Sequence, residues 1–102
     1  MTKEKKNYNG WTNYETWCVN LWISNDQGLA DYFQAVARSI IEKYKEDRAY
    51  TLSKTLQAYF DNENPLSNAS VWTDLLGKAL SNVCWYEIAK GMIDSEVKEA
   101  RK

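Results

Sequence analysis

The chain has 102 residues, of which 26% are charged and 14% aromatic, with a formal net charge of −1 and no histidine. This length fits one domain, and the near-neutral charge argues against a broad Lys/Arg face for duplex nucleic acid. Without histidine there is no imidazole for general-base catalysis or for a Ser-His-Asp or Cys-His triad.

The distribution of charged residues divides the chain into a central domain and two tails. Six of the thirteen basic residues lie at the two ends, so residues 7–97 hold seven basic and twelve acidic residues. We expect a charged flexible tail over residues 1–6, a single helical domain over residues 7–97 and a charged tail over residues 98–102.

The sequence has no secretory signal, and it has no apolar run close to the roughly 20 residues that a membrane span needs. These observations predict a cytoplasmic protein. Cys18 and Cys84 fall on apolar stripes and are predicted to be buried thiols.

The first predicted helix follows a turn signal, Asn-Gly, at residues 9–10. Thr12 is predicted to cap it, with Glu15 three residues later completing a capping box. Its apolar face at helical spacing consists of Tyr14, Trp17, Cys18, Leu21 and Trp22. Because Val19 and Ile23 lie off that face, the helix is apolar nearly all round. We therefore expect it either to be the most buried element or to expose one flank to a partner.

A second and a third helix follow. The segment SNDQG, residues 24–28, interrupts the apolar pattern, and Asn25 or Asp26 can cap the second helix. Its stripe keeps the helical rhythm for over four turns through Leu29, Tyr32, Phe33, Val36, Ala37, Ile40, Ile41 and Tyr44. The third helix is predicted over residues 48–60 and ends at the polar loop DNENPLSN, residues 61–68.

The last third of the chain predicts one or two further helices. Ser67 or Asn68 can cap a fourth helix. Its regular stripe contains Val71, Trp72, Leu75, Leu76, Ala79, Leu80, Val83 and Cys84. Residues 81–82 either end this helix and cap a fifth or lie on its polar side, and residues 85–93 continue the helical period. The sequence therefore predicts an all-α fold, a compact single-domain bundle of four or five helices. The tryptophans expected in its core are Trp17, Trp22 and Trp72.

The sequence contains no CxxC or HExxH motif, no glycine-rich phosphate loop and no paired-aspartate calcium loop. We therefore expect no cofactor, no metal and no enzymatic activity. Carboxylates alone can bind a hard cation, and Glu15, Asp26 and Asp31 can converge, but helix capping and solvation also explain these three residues.

Trp11 lies outside every apolar stripe, immediately before the predicted cap. It either folds back as a lid on the start of the first helix or forms a surface aromatic. A surface aromatic of this kind anchors protein interfaces or stacks on bases. Tyr8 and Tyr14 have the same two interpretations.

Two segments carry a family resemblance. Residues 10–25, GWTNYETWCVNLWISN, contain Gly-Trp-x-Asn-Tyr-Glu-Thr-Trp followed by Val-x-Leu-Trp. They resemble a family of small uncharacterised proteins of phages, plasmids and other mobile elements. Residues 70–93, SVWTDLLGKALSNVCWYEIAKGMI, look like that family's second segment, with Cys84 where asparagine is expected before Trp85.

The resemblance implies a genomic setting rather than a chemistry. Small proteins of mobile elements often bind a host protein, and inhibitors of restriction or CRISPR defence are the example we expect. The matching motif implies partner-binding roles for Trp11, Asn13, Tyr14 and Glu15. Asn13 and Glu15 also have a structural explanation as capping residues, and Asp26 and Asp31 are added as acidic candidates.

Three hypotheses follow. The leading one is a non-enzymatic interaction module that blocks a host protein in the host cytosol. The second is a nucleic-acid-binding accessory protein, with the candidate residues Arg38, Lys43, Lys45, Arg48 and Lys54. The third is a structural homodimer that uses the spare flank of the first helix.

Overall fold

The computed structural model describes residues 8–100, which form five α-helices. They are α1 (Tyr14–Asn25), α2 (Gln27–Lys43), α3 (Arg48–Glu63), α4 (Val71–Ser81) and α5 (Trp85–Ala100). The predicted all-α fold is confirmed, and the break after Ser81 makes the helices five rather than four. The predicted N-terminal tail lies outside the described residues. The predicted C-terminal tail begins inside α5, because Lys98 and Glu99 are helical.

The segment before α1 forms the predicted tight turn. Tyr8 and Trp11 exchange two backbone hydrogen bonds, with N···O distances of 2.9 and 2.7 Å. Between them Asn9 and Gly10 both have positive φ, 48° and 89°, as a two-residue type I′ turn requires. The turn fixes Trp11 beside the start of α1, where its side chain packs against the core. This partial burial favours the lid interpretation of Trp11 over that of a fully exposed surface aromatic.

The cap of α1 lies one residue later than predicted. Asn13 is the N-cap, and its side-chain oxygen accepts from the backbone N–H of Thr16 at 2.9 Å. Asparagine caps at least as well as threonine, and the N–H of Thr12 donates instead to Oε1 of Glu87 in α5 at 3.2 Å. The predicted cap at Thr12 and the capping box with Glu15 are therefore wrong.

α2 and α4 also begin with a side chain that accepts a hydrogen bond from a backbone N–H of the first turn. Asp26, one of the two predicted candidates, caps α2, and its carboxylate accepts from the N–H of Leu29 at 3.0 Å. α4 begins later than predicted, because Ser70 is its cap and accepts from the N–H of Thr73 at 3.1 Å. Neither Ser67 nor Asn68 caps it.

The core lies between α2, α3 and α5. α3 packs most extensively on α5, while α2 contacts both of these helices and α1 lies against α2 and α5. The most deeply buried apolar side chains are Phe33, Ala37, Leu52, Leu56, Ile88 and Ala89. The stripe predicted for α2 supplies Phe33, Ala37 and Ile40 to this core, so its main anchors are confirmed, although Tyr32 and Tyr44 remain exposed.

The core-facing side of α1 differs from the predicted one. Thr16 and Ile23 are the buried residues of the helix, and Val19 between them packs against the core. By contrast, Leu21 and Trp22 of the predicted face are exposed, Trp22 by 66%. A helix with apolar residues on every side has no periodic signal that selects one face.

Both cysteines are free thiols of intermediate burial. Within the described part of the chain, no helix is long and apolar enough to cross a membrane.

Candidate partner-binding surfaces

Polar residues at the start of α1 link this helix to the connection between α4 and α5. Besides capping α1, Asn13 accepts from the hydroxyl of Thr16 at 2.6 Å and donates through Nδ2 to the carbonyl of Asn82 at 2.8 Å. The hydroxyl of Thr16 in turn accepts from the backbone N–H of Cys84 at 2.9 Å. These bonds join the start of α1 to the α4–α5 connection. Asn13 thus has a structural role in the fold.

Tyr14 belongs to an aromatic cluster beside this junction. Its ring lies 5.3 Å from that of Tyr8 and 5.6 Å from that of Trp17, and Tyr8 and Trp17 are 5.0 Å apart. A hydrogen bond and charge interaction with Cys18 raise the pKa of the Tyr14 hydroxyl above its usual value. Tyr14 remains half exposed, so the cluster covers Trp17 while it leaves one tyrosine edge available to a partner.

Trp11 and Asp31 line a single cleft between α1, α2 and α5. Its volume is about 440 Å³. Apolar residues of low exposure form its floor: Ile23, Phe33, Ala37 and Ile88. Polar side chains line the rest of it: Asn20, Ser24, Gln27, Gln34, Ser95 and Glu96. Of the six partner-binding candidates, these two are the ones that the structure brings into this cleft.

The other acidic candidates are placed elsewhere. Asp26, the α2 cap, lines a separate depression with Leu29, Tyr32 and Tyr59, and Glu15 lies in the first turn of α1 at intermediate exposure. Over residues 8–100 no group of three acidic or cysteine side chains is placed to hold a metal ion. Asp26 and Asp31 therefore do not share one site.

Glu96, in the cleft wall, is 8% exposed. It accepts from Nε of Arg38 at 2.8 Å. Burial alone would raise the pKa of Glu96, but hydrogen bonds from Arg38 and Gln34 and the charge of Arg38 outweigh it, so the pKa lies below its usual value. Glu96 is therefore held as a carboxylate between α2 and α5.

Three of the five basic residues proposed to bind nucleic acid contact other residues of the chain instead. Arg38 pairs with Glu96. Arg48 donates to the carbonyls of Tyr44 and Ile41, at 2.6 and 3.1 Å. Lys54 lies over the Tyr50 ring, 5.3 Å from its centroid. The remaining two, Lys43 and Lys45, are exposed.

α4 carries the largest departure from the predicted core. None of its residues is buried, and within the described residues it makes no extensive contact with another helix. Val71, Trp72 and Leu75 are 62%, 68% and 60% exposed. Only towards its C-terminal end does the stripe reach the core, through Leu80 and the following Val83. The core role predicted for Trp72 is wrong, as is that for Trp22.

The periodicity of α4 could not predict that its apolar face is exposed. An amphipathic stripe has the same spacing whether its own chain or another molecule covers it. The polar loop of residues 64–70 joins α4 to α3, and α4 is anchored at its far end by the contacts of Asn82 and Leu80. The signal available in the sequence was the length of that loop, which does not require α4 to fold back on α3.

Fold and surfaces together define a small all-α domain with an apolar helix face and a separate acid-rimmed cleft as its candidate binding surfaces. The chain belongs to a family of unknown function, DUF7249, whose family model matches residues 4–101. Neither a curated protein nor a solved structure matches the chain.

Proposed function

We propose that the chain is a non-enzymatic protein-binding module whose partner docks on the face of α4 formed by Val71, Trp72 and Leu75. The exposure of these three side chains carries the proposal. Tryptophan is enriched among the residues that dominate binding energy at protein interfaces. A contiguous apolar surface of this kind on a small domain typically marks an interaction site.

The length of α4 supports a partner at this face. The helix has 11 residues, and helices shorter than about 12–15 residues are marginal in water unless an apolar face is packed. Two hydrogen bonds at its ends supply part of its stability. The cap Ser70 accepts from the N–H of Thr73, and the hydroxyl of Ser81, the last residue of the helix, donates to the carbonyl of Lys78. A bound partner that covers Trp72 supplies the packing that the chain itself does not.

The resemblance to proteins of phages and other mobile elements supports a host protein as this partner, and an inhibitor of host defence as the role. An inhibitor of this kind works by occupying a surface and needs no reacting group. The proposed location is accordingly the cytosol of the host cell.

Capture from host lysate with a tagged chain tests the proposal when paired with a variant of the face. We expect a host protein to be retained by the wild type in the presence of nuclease, and at least tenfold less by Trp72→Ala. Tyr86→Ala is the matched control, because Tyr86 is a half-exposed aromatic residue on α5. The purified partner should reproduce the difference in direct titration.

Three results would contradict the proposal. The first is a retained protein whose binding is the same in wild type and Trp72→Ala. The second is a set of retained proteins that disappears with nuclease, which would favour the nucleic-acid hypothesis. The third is a solution mass of twice the 11.9 kDa chain that reverts to one chain in Trp72→Ala, which would assign the face to a second copy.

A further inference from the structure

The cleft between α1, α2 and α5 is a second surface, separate from α4, which contributes none of its lining. Its volume of about 440 Å³ is within the roughly 300–1,000 Å³ of ligand sites in proteins. The floor is apolar, since Phe33 and Ile88 are at most 1% exposed, and the Trp11 side chain forms part of the wall. Such a cleft has room for an aliphatic chain that packs on the floor.

The charges around the cleft are of one sign. Asp31 and Glu96 line it, and none of the described residues that line it is lysine or arginine. Arg38 neutralises Glu96. Asp31 accepts one hydrogen bond, from Nε2 of Gln27 at 2.8 Å, and contacts no cation within the described part of the chain. Among the residues that the structure describes, the cleft therefore holds one carboxylate, that of Asp31, whose charge no cation balances.

We infer that the cleft binds a cation carried on an aliphatic stem, the side chain of an arginine or lysine of a polypeptide. The stem packs on Phe33 and Ala37, and the charge is balanced by Asp31. The Trp11 ring adds a cation–π attraction. An anion is repelled by the same carboxylate, and a neutral apolar group gains no attraction from its charge.

A chemical-shift titration tests this site with a probe that isolates the charge. The probe is the tripeptide acetyl-Gly-Arg-Gly-amide, and its control replaces arginine by citrulline, which has nearly the same shape without the charge. We expect saturable shifts of the Trp11 indole and the Gln34 side-chain amide, with a dissociation constant on the order of 1 mM for so few contacts. Citrulline peptide should bind about fivefold more weakly, the upper end for a solvent-exposed ion pair.

The matched variants are Asp31→Asn and Asp61→Asn. Both aspartates are exposed, so neither change threatens the fold, but Asp61 lies on α3 outside the cleft. Asp31→Asn should remove the preference for arginine over citrulline, and Asp61→Asn should keep it. An unchanged preference in Asp31→Asn, equal binding of the two peptides, or no saturable shift at about 10 mM peptide would overturn the inference.

Propylguanidinium separates the two sources of such a cation, because it carries one guanidinium and the aliphatic stem without a peptide backbone. Peptide binding at least as tight as that of propylguanidinium supports a polypeptide ligand, and weaker peptide binding, or binding of propylguanidinium alone, would overturn it. The site is independent of the α4 face. Trp72→Ala should leave the titration unchanged, so failure of one proposal is distinguishable from failure of the other.

Discussion

The hydroxyl of Thr16 accepts a hydrogen bond from the backbone N–H of Cys84 at 2.9 Å, across 68 positions of sequence. Thr16 is fully buried, and its hydroxyl also donates to the carboxamide oxygen of Asn13 at 2.6 Å. One side chain thus bonds both to the residue that caps α1 and to the part-buried backbone N–H immediately before α5. The bond to Cys84 joins the two sequence segments, residues 10–25 and 70–93, in the folded chain.

Thr16→Val replaces the hydroxyl by a methyl group of similar size and leaves the Cys84 N–H without its partner in a part-buried position. We expect a loss of about 1–3 kcal/mol in the free energy of unfolding, measured by urea denaturation. The control is Thr55→Val, because the Thr55 hydroxyl bonds only to the carbonyl of Thr51 one turn earlier, at 3.3 Å. Equal losses in the two variants would show that the link to Cys84 adds nothing.

Asn13→Ala removes the cap of α1 and the contact with Asn82 together. Loss of a cap costs about 0.5–2 kcal/mol, and we expect the upper part of that range because Nδ2 also donates to the Asn82 carbonyl at 2.8 Å. Thermal unfolding of Asn13→Ala and Asn62→Ala measures the difference. Asn62 is exposed near the end of α3, and its replacement should change stability little. An unchanged melting temperature in Asn13→Ala would contradict the assigned cap.

The helices were predictable because local signals agree with the tertiary structure in most of the chain. α2 has apolar residues on one side only, so its spacing indicates Phe33, Ala37 and Ile40 as core residues, and the structure confirms them. The turn before α1 was predictable for a similar reason, since Asn-Gly is suited to positive φ at both positions.

The remaining features depend on contacts that are distant in sequence. The buried face of α1 includes Thr16, which bonds to Cys84, and no periodicity encodes this contact. The exposure of Trp72 depends on where α4 lies, and a helix stripe does not indicate whether its own chain covers it. Of the residues that line the cleft, Trp11 and Asp31 were already candidates from the sequence. Gln34 and Glu96 were missed, because they reach the cleft from different helices.

Replacing one leucine of the core and one leucine of α4 by alanine tests whether α4 contributes to the stability of the core. Leu56 is fully buried and Leu75 is 60% exposed. Leu56→Ala should cost about 2–5 kcal/mol, since it removes buried methyl groups and leaves a cavity. Leu75→Ala should change the free energy of unfolding by at most about 0.5 kcal/mol, as surface substitutions usually do. A loss of several kcal/mol in Leu75→Ala would place α4 in the core of the isolated chain and remove the basis for a partner there.

Because of Glu96, we expect the free energy of unfolding of the domain to depend on pH in the acidic range. The hydrogen bonds from Arg38 and Gln34, together with the charge of Arg38, outweigh burial and hold the folded-state pKa below the reference value of 4.5. The unfolded chain therefore takes up the proton at higher pH than the folded one. This contribution to stability is fully present above about pH 4.5 and is lost as the pH falls through the folded-state pKa.

We expect the urea concentration at the unfolding midpoint to decrease as the pH is lowered through that range. The decrease should be less steep in Glu96→Gln, which has no carboxyl group to titrate. Asp94→Asn is the control, because Asp94 forms an exposed pair with Lys90 at 3.0 Å, and exposed pairs contribute little. The same slope in wild type and Glu96→Gln would show that Glu96 does not contribute to the acid dependence.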